Sequence, residues 1–114
     1  MPLANLNGIR LYYELTGQGD PLLLISGTGG DLRNPNPHLS ALEEFQLLRY
    51  DQRGLGQTDK PVPPYSMEIY ADDAASLLTH LDIKKANVIG ISFGGMVAQH
   101  LSIRHPELVD KLIL

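Results

Sequence analysis

The sequence contains no cysteine, which removes disulfides, thiolate metal sites and thiol nucleophiles from consideration. Covalent chemistry, if any, falls first to serine. Positive charge is also scarce: nine Lys and Arg stand against thirteen Asp and Glu, for a formal net charge of −4. Those cations are scattered along the chain, whereas phosphate binding needs a clustered basic face. This argues against a nucleic-acid partner and for a small-molecule ligand. No run approaches the about eighteen apolar residues of a membrane span, and Met1-Pro2-Leu3-Ala4-Asn5 lacks the basic start and apolar stretch of a signal peptide. The expected location is the cytoplasm, with no membrane partner. Internal repeats, low-complexity tracts and long charge runs are missing too, so nothing marks a linker between two domains.

What is present suits one compact domain over residues 1–114, with 43% hydrophobic and 19% charged residues. A domain of this size has a thin stability margin, so an uncovered apolar face matters. The chain opens as a hairpin: Asn7-Gly8 is a favoured type I′ pair, followed by the β-branched and aromatic run Ile9-Arg10-Leu11-Tyr12-Tyr13-Glu14-Leu15. After the break at Gly17-Gln18-Gly19-Asp20-Pro21 comes Leu22-Leu23-Leu24-Ile25, a short apolar run of the kind buried on both faces of a parallel sheet. Similar runs recur at residues 45–50, 86–91 and 111–114.

Helical patterns separate these runs. Ser66 is a good N-cap for a helix with apolar residues at Met67, Tyr70, Ala71, Ala74, Leu77, Leu78 and Leu81, and with Asp72, Asp73 and Ser76 expected to face away. A more apolar helix is expected over residues 93–104, stopped by Pro106. A short helix is expected near residues 37–44. Buried strands alternating with helices give an α/β class: a mostly parallel sheet with an N-terminal antiparallel hairpin and helices on both faces. Ligands of such sheets bind at the carboxyl ends of the strands, where the loops 26–37 and 51–64 and the turn at Ser92 emerge.

Gly90-Ile91-Ser92-Phe93-Gly94 fits G-x-S-x-G between a strand and a helix, the context that a nucleophile elbow requires. On so tight a turn the backbone is strained, and residues two positions either side pass too close for a Cβ, hence Gly90 and Gly94. Gly95 then permits close packing of the helix on the sheet. Ser92 would present its hydroxyl at the sheet edge, with the helix N-terminus aimed at a developing oxyanion. The Phe93 amide is the expected first oxyanion donor. The Thr28 amide, in the glycine-rich turn Ser26-Gly27-Thr28-Gly29-Gly30, is the expected second. Two other readings stay open: a phosphate-binding turn, since Gly90-x-Ser92-x-x-Gly95 is one residue from G-x-G-x-x-G, and a purely structural turn. The segment Asp51-Gln52-Arg53-Gly54-Leu55-Gly56-Gln57-Thr58-Asp59 reads as structural, with Arg53 tethering the loop by pairing with a carboxylate such as Asp51 or Asp59.

A glycine turn after the third strand, D-x-R-G-x-G-x-[ST]-D after the fourth and G-x-S-x-G-G after the fifth together resemble the α/β-hydrolase fold superfamily over nearly the whole chain. Small bacterial esterases, enol-lactonases, carbon-carbon bond hydrolases and cofactor-free haloperoxidases are the members it looks most like. The resemblance implies a Ser-His-Asp triad with Ser92 as nucleophile, acting on an ester or related carbonyl without cofactor or metal. It also implies that the acid and the histidine follow later strands, so that residues 1–114 are the N-terminal portion of a single hydrolase domain, ending in the sixth strand. Ser26-Gly27 stands where many relatives have His-Gly, which bears on loop packing. His80, His100 and His105 lie on or at the ends of helices, and His38 is the only histidine expected near the site. Two hypotheses follow: an enzyme half whose partner is the C-terminal half, or a non-catalytic folding unit that self-associates through an exposed sheet edge.

Overall fold

A computed structural model describes residues 3–27, 32, 37–61 and 65–114. Strand β1 (Leu3–Leu6) turns into β2 (Ile9–Thr16) through Asn7 and Gly8, whose φ angles of 48° and 79° are both positive, as a type I′ turn needs. Then follow β3 (Pro21–Ile25), β4 (Gln46–Tyr50), β5 (Ala86–Gly90) and β6 (Val109–Ile113). The six strands form one sheet in the order β1-β2-β4-β3-β5-β6, with β1 and β2 antiparallel, β2 antiparallel to β4, and β4, β3, β5 and β6 parallel.

Successive side chains of a strand point to opposite faces of the sheet, and in β3 both faces are covered. Leu23 and Ile25 of β3 point to the same side as Leu48, Tyr50 and Val88, under α1 (Met67–His80) and α2 (Phe93–Arg104). Ala71, Ala74, Leu77 and Leu78 of α1 and Val97, Ala98 and Leu101 of α2 complete that core. Leu22 and Leu24 point the other way, with Leu47, and are met by Leu39 and Leu42 of a 3-10 helix (Pro37–Leu42). Helical elements therefore lie on both faces, unequally. The expected helix near 37–44 is this shorter element.

Ser66 caps α1 in extended conformation, its hydroxyl accepting from the Ile69 amide at 3.2 Å. Asp73 does not face away as expected: it is 1% exposed. Arg53 reaches it from the loop after β4, with Nε and Nη2 each 2.9 Å from a carboxylate oxygen, and Asn7 Nδ2 adds a third bond at 3.0 Å. Charge neutralisation on this scale is what permits a carboxylate in the core. Arg53 therefore pairs with Asp73, not with Asp51 or Asp59. β6 starts two residues before the expected run, directly after a 3-10 turn (Pro106–Leu108).

The connection leaving β3 runs to the 3-10 helix on one face, whereas β5 feeds α2 on the other. β3 and β5 are neighbours. Their carboxyl ends thus lie at a topological switch point, where open α/β sheets bind ligands.

Candidate active site

Ser92 sits at that switch point as the residue before α2, with φ 57° and ψ −119°. A non-glycine residue held there stores about 1–3 kcal/mol of backbone strain, and such strain persists only where the surroundings over-determine it. Those surroundings are visible. The Ile91 amide donates to Ile25 O at 3.0 Å, pinning the end of β5 to the end of β3. A Cβ on Gly94 would run into the carbonyl of Ile25 and lie 2.6 Å from Ser26 O. A Cβ on Gly90 would lie 2.6 Å from both Gly94 O and Gly95 Cα. The spacing G-x-S-x-G is thus a steric consequence of the bend. Gly95 is less constrained, since a Cβ there would meet Gly90 O at 3.5 Å, ordinary contact.

The Ser92 side chain is exposed and does not cap α2. Its hydroxyl is therefore not spent on the helix, unlike that of Ser66 on α1. The amides of Gly94 and Gly95 donate to Ile91 O and Ser92 O at 2.9 Å each, whereas the Phe93 amide has no partner among the described residues. An unspent amide at a helix N-terminus favours negative charge. The Phe93 ring turns away from it, meeting Tyr70 edge-on at 5.1 Å between centroids, and Tyr70 meets Tyr65 likewise at 5.8 Å. Burial raises the pKa of the Tyr70 hydroxyl.

The loop leaving β3 comes up against Ser92. A Cβ on Gly27 would stand 3.2 Å from Ser92 Cβ and 3.7 Å from its Oγ. Thr28, the expected second donor, lies outside the described residues, as does the side chain of His38. His80 and His100 are on α1 and α2 as expected. His105 Nε2 is engaged 2.8 Å from Asp72 Oδ1. The Arg104 guanidinium donates to both oxygens of the same carboxylate and, as the main cause, holds the Asp72 pKa below the usual range. Among the described residues there is no group of three or more residues suited to a metal ion, and no helix is long and apolar enough to cross a membrane.

Two site-edge residues escape sequence reasoning. Gln52 is 1% exposed and donates from Nε2 to Ser26 O at 2.9 Å. Asp51, equally buried, accepts backbone amides in place of Arg53. Their type signals neither role: an uncharged residue in D-x-R-G reads as filler, and an acid beside an Arg reads as its partner.

Residues 20–114 match the family model described as alpha/beta hydrolase fold. Similar solved structures include the enol-lactonase from Burkholderia xenovorans LB400, 34% identical with a TM-score of 0.91 over 97% of this chain and 45% of that one. A hydrolase from Pseudomonas aeruginosa PA01 is also 34% identical, with a TM-score of 0.92 over 99% of this chain and 44% of that one. Among curated proteins, a soluble epoxide hydrolase from Corynebacterium sp. is 35% identical over 97% of this chain and 39% of its own length. The chain spans about a third of the length of the first curated relatives it matches. With sheet order, elbow and family match in agreement, the chain belongs to the alpha/beta hydrolase fold family.

Proposed function

We propose that this chain carries the nucleophile and oxyanion side of a serine hydrolase acting on a carboxylic ester or related carbonyl, as the N-terminal portion of a single catalytic domain. The observation that carries the reading is Ser92 itself: exposed, in a strained backbone, with a hydroxyl that caps nothing. A structural turn would place glycine at that φ and lose the strain.

In the proposed reaction Ser92 Oγ attacks the carbonyl carbon while its proton passes to a histidine supplied by further sequence. The carbonyl π electrons move to oxygen, which the Phe93 amide and the Thr28 amide stabilise. Collapse expels the alcohol with a proton, and water then releases the acid from the acyl-enzyme. Loss of one oxyanion donor typically costs about 2.7–4 kcal/mol of transition-state stabilisation. No cofactor or metal enters this scheme.

A serine without its base keeps only the contributions of binding and the oxyanion hole. The chain alone is therefore expected to hydrolyse p-nitrophenyl esters little or not at all. Complementation with the half bearing acid and base is expected to give turnover that Ser92→Ala abolishes. Turnover that survives Ser92→Ala would sink the assignment.

A second reading is favoured by β6, which closes the sheet at one edge. Leu112, Ile113 and Leu114 are 37%, 54% and 66% exposed there. Such an edge is a pairing template, for a C-terminal half or for a second copy of the chain. Sedimentation showing a monomer across micromolar concentrations would rule out self-association.

A further inference from the structure

The loop after β4 grips the chain leaving β3 at two points. Asp51 Oδ1 accepts the Leu32 amide at 2.8 Å, and Gln52 Nε2 donates to Ser26 O at 2.9 Å. Consecutive residues thus hold the chain on either side of residues 27–31. The grip is itself fixed. Asp51 Oδ2 accepts the Gln57 amide at 2.8 Å, and the Leu55 amide donates to Gln52 O at 2.8 Å. Thr58 Oγ1 donates to Asp51 O at 2.6 Å while accepting the Tyr12 amide at 2.9 Å, which ties the loop to β2. Asp51, Gln52 and Thr58 are each 1% exposed, so these bonds are at least partly shielded from water.

We propose that Asp51 and Gln52 are positioning residues, holding Leu32 and Ser26 so that the chain leaving β3 stays seated at Gly27 against Ser92. The proposal rests on the reading of Ser92 as nucleophile. Gly27 is the contact that transmits the position, since a Cβ there would be tight against Ile91 O at 3.1 Å and Ser92 Cβ at 3.2 Å. The chemistry of the pair is specific. A carboxylate can accept two amides at once, whereas an asparagine offers one acceptor and turns a donor towards the other amide. Gln52 supplies the donor that a carbonyl needs, and a leucine of similar size supplies none. A misplacement of about 1 Å can cost on the order of 100-fold in rate.

The test compares Asp51→Asn and Gln52→Leu with Lys60→Ala, a control on the exposed rim of the same loop. Amide exchange followed by NMR on the chain is expected to quicken at Leu32 and Gln57 in Asp51→Asn by about tenfold or more, with no change in Lys60→Ala. In the complemented enzyme, kcat is expected to fall about tenfold to 100-fold in both variants, with KM and the pH profile unchanged. A lesion of mere structure would lower the active fraction and leave the kcat of the folded molecules alone, so active sites are counted by burst titration. If Asp51→Asn fails to fold, Gln52→Leu carries the kinetic comparison.

Unchanged exchange at Leu32, or wild-type kcat per active site in the variants, overturns the proposal and leaves the nucleophile assignment standing. Wild-type protein whose turnover does not depend on Ser92 instead overturns that assignment, and the positioning role falls with it.

Discussion

Two glycine-bearing loops meet at the same sheet edge and differ in what they do with their polar groups. Around Ser92 the backbone is strained, the hydroxyl caps nothing and the Phe93 amide has no partner among the described residues. In residues 51–59 nearly every side chain is committed: Asp51 and Thr58 to backbone amides, Arg53 to Asp73, Asp59 to Arg10. The difference teaches that reactivity and rigidity are divided between neighbours. Strain at Ser92 persists because the end of β3 and the flanking glycines leave the turn no room to relax.

The sharpest way to break this contrast is to remove the group each loop depends on. Ser92→Ala should lower turnover of the complemented enzyme by about 10⁶-fold and leave the melting temperature unchanged or raised, as read by calorimetry. Arg53→Ala should do the reverse. It strands the buried Asp73 carboxylate and should cost about 3–5 kcal/mol, a large part of the about 5–15 kcal/mol that holds a domain together. Urea titration measures it. If Arg53→Ala instead spared stability and removed turnover, the division between the loops would be wrong.

Gly94→Ala probes how tightly the elbow is pinned. Its Cβ would collide with the carbonyls of Ile25 and Ser26, and overpacking of this kind costs about 1–3 kcal/mol. The same titration should show the loss, together with lower turnover per active site.

Exposed pairs should matter less and show it through pH. Hydrogen bonding by Arg10 lowers the Asp59 pKa, chiefly through its backbone amide, and Arg104 lowers that of Asp72. A depressed carboxylate contributes its stability above its unfolded pKa of about 3.9 and loses it as pH falls through the lower folded value. Melting curves of wild type and Arg104→Ala should therefore differ near neutral pH and converge as pH falls below the lowered folded value of Asp72. Smallest of all is Tyr50→Phe. The Tyr50 hydroxyl is buried without a partner among the described residues, and burial pushes its pKa up. Its removal should be neutral or stabilise by up to about 1 kcal/mol in urea titration.

Much of this was legible in the residues, and the misses have physical causes. Leu22-Leu23-Leu24-Ile25 reads as a strand buried on both faces because nothing in it suits solvent, and it is one. The tight turn before α2 is legible because Gly90 and Gly94 flank Ser92 where a Cβ would clash. Helix periodicity alone puts Asp73 in solvent because it cannot see Arg53, which lies twenty residues earlier and meets it only through the fold. The apolar pattern starts β6 late because Val109-Asp110-Lys111 is a mixed run, as suits a strand with exposed side chains at the sheet edge. Gln52 was invisible because its partner is a backbone carbonyl, and carbonyls carry no sequence.

The most direct test of the central claim is to treat the complemented protein with a fluorophosphonate, digest it and locate the adduct by mass spectrometry. One phosphonyl group on the Ser92 peptide, absent in Ser92→Ala, is the expected result. An unmodified Ser92 in a preparation that hydrolyses esters, or an adduct on another residue, would contradict it.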